Sequence, residues 1–391
     1  MKQLSIFPRA LALSLLVAML AGCGTVKGWF GKDDDKAGEP AALAEFAATA
    51  TTSELWSAGA GKGEKRLGNS QRPAVADGRV FAAAVEGGVR AYDLKSGAQA
   101  WSYDSDARLA GGPAAGEGLV VVGSLDGEVI ALDAATGAEK WQAKVSNEVI
   151  TAPAIGQGLV LVRSNDGRVT AFDAQTGAQR WFYSNDLPSL TVRGNAPVLI
   201  GPGVAFVGND DGTVSAMSIA DGRLLWRQVV GVPDGRTELE RMADVDGAPV
   251  LDGSTLFATS FKNETVAVDA PSGRPLWTRE RGGGGGVGLA PGSVVVSDAA
   301  GTVWALDKST GAPLWSNPAL ARRLLTAPAV QGDYAVVADF DGYVHWLRLD
   351  NGELAARSRV GGDSVKAQPV VADGVVLVQD VGGKVTAFGL Q

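Results

Sequence analysis

The chain has 391 residues, 46% of them hydrophobic, with 53 glycines and 17 prolines, enough apolar material for one large core broken into many short elements. Its formal net charge of −8 argues against a nucleic-acid partner, because gripping phosphates needs a basic face. A single cysteine excludes an intramolecular disulfide, and a single histidine, His345, excludes a multi-histidine metal site or a histidine pair.

Residues 1–22 read as a targeting segment. Lys2 and Arg9 make a positive start, an apolar stretch covers residues 11–20, and Leu20-Ala21-Gly22-Cys23 follows. Its removal takes away two positive charges and no acid, leaving a net charge of −10. The ending resembles the lipobox of bacterial lipoproteins. That resemblance implies that Cys23 becomes the acylated N-terminus of the mature chain; the alternative is an incidental thiol. Several acyl chains, at about 0.8 kcal/mol per buried CH₂, hold a protein to a membrane without a spanning helix. The same resemblance points to the outer membrane, because Gly24 rather than an aspartate follows the cysteine. Residues 23–52 lack a strand pattern and carry the charged run of residues 32–36 and an alanine-rich stretch that is briefly helical at most. They read as a lipidated, solvated, flexible tether, and deleting residues 24–50 is expected to cost the fold almost nothing.

Residues 53–391 form one domain built on a repeat, clearest at residues 169–181, V-T-A-F-D-A-Q-T-G-A-Q-R-W. Alternation predicts a half-buried strand, Asp173 and Thr176 suit a tight turn, Gly177 supplies its positive φ, and Trp181 lies on the returning strand. In six copies a tryptophan (Trp101, Trp141, Trp181, Trp226, Trp277, Trp315) stands four residues after a turn glycine, and an alanine stands six before that glycine. In a seventh, Trp346 replaces the alanine, Asp350-Asn351-Gly352 makes the turn, and Ala356 stands where tryptophan would. An eighth, V-T-A-F at residues 385–388, stops at the C-terminus before any turn. Each full copy begins with a proline or its equivalent and a short apolar strand, which makes four strands.

Four-stranded repeats of about 40 residues predict a β-propeller. A solenoid would leave open sheet edges, whereas a ring explains both the truncated last copy and the orphan S-E-L-W-S at residues 53–57. The expectation is an all-β, eight-bladed β-propeller of four-stranded antiparallel blades. The N-terminal strand bearing Trp56 closes it by completing the last blade. The pentaglycine at residues 282–286 reads as a flexible link between the fifth and sixth blades.

Little in the sequence points to catalysis. A lone strand histidine is most often structural, and the Asp-Gly pairs (Asp126-Gly127, Asp166-Gly167, Asp211-Gly212, Asp341-Gly342) occupy one blade position, as hairpin turns do rather than calcium loops. The repeated tryptophans suit blade packing better than ligand stacking.

The repeat resembles the tryptophan-docking motif of quinoprotein alcohol dehydrogenases. Those eight-bladed enzymes are much longer and have a calcium site and usually an adjacent cysteine pair, for which this chain has no counterpart. A fuller resemblance is to the BamB family, lipoprotein subunits of the β-barrel assembly machinery of Gram-negative outer membranes. It covers the lipobox, the eight blades and four motifs that blade geometry does not demand: P-S-L-T-V-R-G at residues 188–194, D-V-D at 244–246, R-L-L-T-A-P-A at 323–329 and D-G-Y-V-H-W at 341–346. The pentaglycine and Val192, where the family often has leucine, are departures. The resemblance implies a non-catalytic scaffold with no cofactor or metal, lipid-anchored in the outer membrane and facing the periplasm. Its implied partners are the periplasmic POTRA domains of the BamA barrel-inserting subunit and unfolded outer-membrane proteins, with no nucleic acid. The runner-up is a periplasmic PQQ-dependent dehydrogenase or a degenerate relative binding a ligand in its central channel.

Loop lengths single out one surface. Most links from an outer strand to the next blade are short, with 12 residues from Trp101 to Pro113 and from Trp141 to Pro153, but Trp181 to Pro197 spans 16 and Trp226 to Pro249 spans 23. These two flank the fourth blade on one face. They hold Leu190, Val192 and Arg193 in the first and Asp244 and Asp246 in the second, the residues the resemblance implies for partner binding. An apolar pair beside an arginine has the composition of an interface centre. The alternative is that Arg193 merely pairs with Asp244 or Asp246 to order tolerated insertions.

Overall fold

A computed structural model describes residues 39–65, 71–192 and 194–391. The expected targeting segment, Cys23 and Arg193 lie outside the described residues. The remainder forms 32 strands in eight four-stranded antiparallel sheets, with each of seven blades made of consecutive strands. The eighth joins β1 (Thr52–Gly59) to β32 (Lys384–Leu390), which pairs in turn with β31 (Val375–Gln379) and that with β30 (Val370–Ala372). Trp56 sits opposite Ala387, so the two chain ends complete one blade as the sequence predicts. Pairing β1 with β32 keeps the N-terminal strand from standing as an unpaired strand of its own, open to pairing with another chain.

Seven of the eight blade boundaries repeat one piece of chemistry. The outer-strand indole, buried in five cases and half-buried at Trp226 and Trp315, donates its Nε1–H to a main-chain carbonyl in the next blade: Trp56 to Leu94 O at 2.9 Å, Trp101 to Ala134 O at 3.0 Å, and so around to Trp315 and Leu349 O at 2.7 Å. Within its own blade each tryptophan pairs across from the repeat alanine, as Trp181 does with Ala171, because a flat indole needs a small neighbour on the adjoining strand. The next blade's turn holds the other side. Asp173 Oδ1 accepts from the N–H groups of Gln175 and Thr176 and from the Thr176 hydroxyl at 2.9–3.1 Å, fixing the turn that presents Gly177 to Trp141. The Asp-Gly pairs are likewise hairpin turns, with Gly127, Gly167, Gly212 and Gly342 all at φ between 76° and 82°.

The seventh blade reverses the pair: Trp346 lies on β28 (Tyr343–Arg348) opposite Ala356 on β29 (Leu354–Arg359). One large and one small side chain still fill the same cross-strand position, but the indole is one strand further in. It is fully buried, donates to Gln331 Oε1 at 2.6 Å, and meets Phe388 of the eighth blade edge-on at 5.9 Å. The space that an outer indole fills elsewhere is taken by the chain before β1. Thr49 and Ala50 donate to Ala355 O, Thr51 and Gln391 exchange main-chain hydrogen bonds, and Ala50 is buried in the cluster around Trp346.

The stretch expected as a tether through residue 52 is therefore docked over its last dozen residues. Ala41 N–H donates to Ala321 O, Arg323 donates to Ala41 O, Arg357 donates to Ala44 O, and the Arg357 guanidinium lies 5.0 Å from the Phe46 ring centre. Composition gave no sign of this, because the contacts are made mostly by main-chain atoms.

The pentaglycine does join the fifth and sixth blades, between β21 (Pro275–Arg279) and β22 (Val287–Leu289). The expectation of flexibility needs correction. A β-carbon on Gly283 would come 2.5 Å from Ser297 O and one on Gly282 2.6 Å from Thr265 Oγ1, so glycine is present for close packing rather than for freedom.

Candidate partner-binding site

The two long links fall between β13 (Gln179–Ser184) and β14 (Leu199–Gly201), and between β17 (Leu224–Val229) and β18 (Val250–Asp252), on either side of the fourth blade. Each is too long for a tight turn and needs its own supports. The second supplies most of them. A four-residue helix, α1 (Glu238–Arg241), begins with a capping box in which the Thr237 side chain accepts from Glu240 N–H and Glu240 reaches back to Thr237 N–H. The T-x-x-E spacing signals this motif in the sequence, where it went unread. Lys262 ties the loop down by donating to Asp234 Oδ1 at 3.0 Å and to the carbonyls of Asp234 and Glu240.

Among the described residues, one hydrogen bond joins the loops. Val192 N–H donates to Asp244 Oδ1 at 2.9 Å. Asp244 is fully buried, its own carbonyl accepting from Phe261 N–H at 2.8 Å. It therefore cannot touch a partner directly, and its carboxylate works from beneath the surface by fixing Val192. Asp246 is half-buried, its carboxylate packed so closely under Gly194 that a β-carbon there would stand 2.8 Å from Oδ2. Leu190 is 43% exposed on the crest of the first loop, and Leu187 matches it. Val232 and Leu239 in the second loop, and Phe182 and Phe261 nearby, are exposed as well.

A buried ion pair that sequence reasoning missed underlies the loops. Arg163, at the end of β11 (Leu159–Arg163), is 2% exposed and donates to Asp210 Oδ1 at 2.8 Å and to Gly208 O at 2.5 Å. Asp210, Asp244 and Asp246 bring carboxylate oxygens within 4.8 Å of one another, the one such acidic group among the described residues. Three oxygens suit a hard cation, but Arg163 already stands as the positive charge they face. Crowding has its effect on protonation: burial first, then Asp210, pushes Asp244 up to about 6, and burial first, then Asp244, pushes Asp246 well above the usual carboxylate range. Asp210 is also raised, by burial that outweighs its pairing with Arg163. The result is a crowded acidic cluster beneath the two loops, its carboxyls biased toward the neutral form, with the exposed Leu190 above.

His345 lies elsewhere, buried on β28, with Nε2 3.0 Å from Asp339 Oδ2 and Nδ1 accepting from Arg357 Nε at 3.3 Å. Arg323 also donates to Asp339, at 2.6 Å. The R-L-L-T-A-P-A and D-G-Y-V-H-W motifs thus meet in one cluster, and their arginine carries the docked N-terminal stretch.

The family model described as outer membrane protein assembly factor BamB matches residues 44–111, 85–317 and 310–390. An assembly factor of that name from Xanthomonas campestris is 60% identical over 403 residues, covering 100% of this chain and 99% of its own length. The crystal structure of BamB from Moraxella catarrhalis superposes with a TM-score of 0.79 at 26% identity, covering 87% of this chain and all of that one. A quinohemoprotein alcohol dehydrogenase from Comamonas testosteroni reaches a TM-score of 0.67 at 16% identity over 86% of this chain and 76% of its own, a likeness of fold alone.

Proposed function

The chain belongs to the BamB family of outer membrane protein assembly factors, and from that premise we propose a specific way in which it serves the assembly machinery. It acts as a non-catalytic accessory subunit, anchored through an acylated Cys23 on the periplasmic side of the outer membrane. The face bearing the two long loops docks on the periplasmic POTRA domains of the barrel-inserting subunit, BamA, so that the propeller stands where unfolded barrel proteins are delivered. The observation that carries this reading is the Val192 to Asp244 hydrogen bond, which spends a buried carboxylate on locking two exposed loops together. Loops tolerated as mere insertions have no need of such a device. Leu190 then supplies direct contact, Arg193 the neighbouring guanidinium, and Val192, Asp244 and Asp246 the positioning.

Two measurements test the reading. Titration of the purified propeller with isolated POTRA domains should give a saturable complex, and absence of binding at high micromolar concentration would remove the proposed partner. Cys23→Ser should release a folded protein into the soluble periplasmic fraction, whereas pelleting with membranes at wild-type levels would mean that another element holds it.

A further inference from the structure

We propose that the axial channel of the propeller carries an anion site built on Arg72, shaped for a small monocarboxylate with an apolar body. The innermost strands of all eight blades surround a cavity of about 580 Å³, a size typical of small-ligand sites, and seven of them enter it behind a proline. The residue before that proline decides how much of the channel is filled. It is Gly112, Ala152, Ala196, Ala248 and Ala327 in five blades, but Arg72 in the first and Gln368 in the eighth. Residues before proline are held extended, so a long side chain at this position has a fixed starting direction.

Among the described residues Arg72 is the single charged residue of the lining, whose walls are mostly proline, alanine, valine, leucine and isoleucine. Its described partner is neutral: Nη1 donates to Gln368 Oε1 at 3.1 Å. Gln368 is itself fixed, its Nε2 donating to Pro328 O at 2.7 Å and Val287 O at 3.3 Å, so the amide oxygen is turned toward the guanidinium. One hydrogen bond leaves most of a five-donor planar fork unspent, and that fork matches the two oxygens of a carboxylate. Burial without an acid beside it depresses the Arg72 pKa, a cost that an entering anion would relieve. One cation in a protein of net charge −8 favours a monoanion over a phosphate dianion, and the apolar walls favour an attached ring or short chain.

This site is independent of the partner-binding loops, and benzoate, with benzamide as its neutral isostere, tests it. Calorimetric titration of the wild-type protein should show saturable benzoate binding, with benzamide at least about tenfold weaker and Arg72→Gln also weakened by at least about tenfold, as expected for loss of a charge-assisted pair. Phenylglyoxal labelling of the wild-type chain, read by peptide mass, needs no variant to fold. Benzoate should slow modification of Arg72 and leave the exposed Arg223 unaffected. Failure of benzoate to bind, equal binding of benzamide or by Arg72→Gln, or an unchanged rate of Arg72 labelling would each overturn the proposal.

Discussion

The indole of Trp56 lies over Gly97 so closely that a β-carbon on that glycine would stand 2.5 Å from the ring. The same approach recurs at every tryptophan boundary, through Gly352 beneath Trp315 at 2.4 Å. The turn glycine thus answers two demands, a left-handed backbone and a bare surface for the preceding blade. These can be separated, because Gly78 has φ of 72° with nothing within 4 Å of its would-be β-carbon, while Gly97 has φ of 69°. Gly78→Ala should cost about 1 kcal/mol from backbone strain alone, and Gly97→Ala at least about 2 kcal/mol more from the clash. Trp56→Ala, which opens the ring closure itself, should cost roughly 3 to 5 kcal/mol. Urea unfolding measures all three, and equal losses at Gly78 and Gly97 would show that the indole contact is not the constraint.

Residues 40–51 should contribute to stability, contrary to what their composition suggests. Their hydrogen bonds to Ala355 and the burial of Ala50 occupy the one blade boundary that lacks an outer tryptophan, and Ala41 adds a bond to Ala321. A chain beginning at Thr52 should melt several degrees below one beginning at Glu39, since about 1 kcal/mol shifts a melting point by a few degrees at this size. Identical melting curves would reduce the docked stretch to a passive contact.

The blade count, the closing strand and the Trp–Ala pairs were legible in the sequence because they are periodic, and periodicity survives without knowledge of what surrounds each residue. What was not legible was non-local. Nothing in Asp244 or Arg163 announces burial, since each sits beside residues that are distant in the chain. Main-chain docking by Ala41 and Ala44 leaves no side-chain signature, and a run of glycines looks identical whether it is loose or pressed against Ser297 and Thr265.

His345 should make the seventh blade sensitive to acid. Burial first holds its pKa below the ordinary histidine value, against the pull of Asp339, with Arg357 and Arg323 also disfavouring the charged ring. Nδ1 must stay unprotonated to accept from Arg357. The unfolded chain takes up this proton below about pH 6.5 while the folded chain does not, so stability is lost as pH falls through that range. His345→Gln should lose about 1 kcal/mol less than wild type between pH 7.5 and 5.5 in urea unfolding. Parallel losses would mean that the histidine is not the sensor.

Asp244 acts with the opposite sign. Its folded pKa of about 6 lies above that of an unfolded aspartate, so the folded state binds more protons between the two values, and stability falls as pH rises through about 6. Asp244→Asn removes the ionisation and keeps an oxygen for Val192 N–H. The variant should be more stable than wild type at pH 7.5, by up to about 3 kcal/mol, and lose that advantage toward pH 4. A variant less stable than wild type at pH 7.5 would show that the charge of Asp244 is needed beside Arg163.

The docking face follows from the division between residues that touch and residues that hold. Leu190 projects from the first loop and contributes nothing to the described core, so Leu190→Ala should weaken binding to the POTRA domains by about 1 kcal/mol or more and leave the melting point unchanged. Leu187→Ala should act similarly, because it is equally exposed on the same loop. Asp244→Ala differs in kind. It strips the acceptor from Val192 N–H and loosens both loops, so it should weaken binding and lower the melting point together, whereas Asp244→Asn keeps the acceptor and should keep the affinity. Asp246→Arg brings a guanidinium beneath Gly194, where a single β-carbon already fails to fit, and should disrupt the first loop as well as reverse the local charge. The pattern, rather than any one loss, identifies the face. Titration of the five variants against isolated POTRA domains, with melting curves alongside, reads it directly. Wild-type affinity in both leucine variants would place the partner on another surface, however well the loops are held.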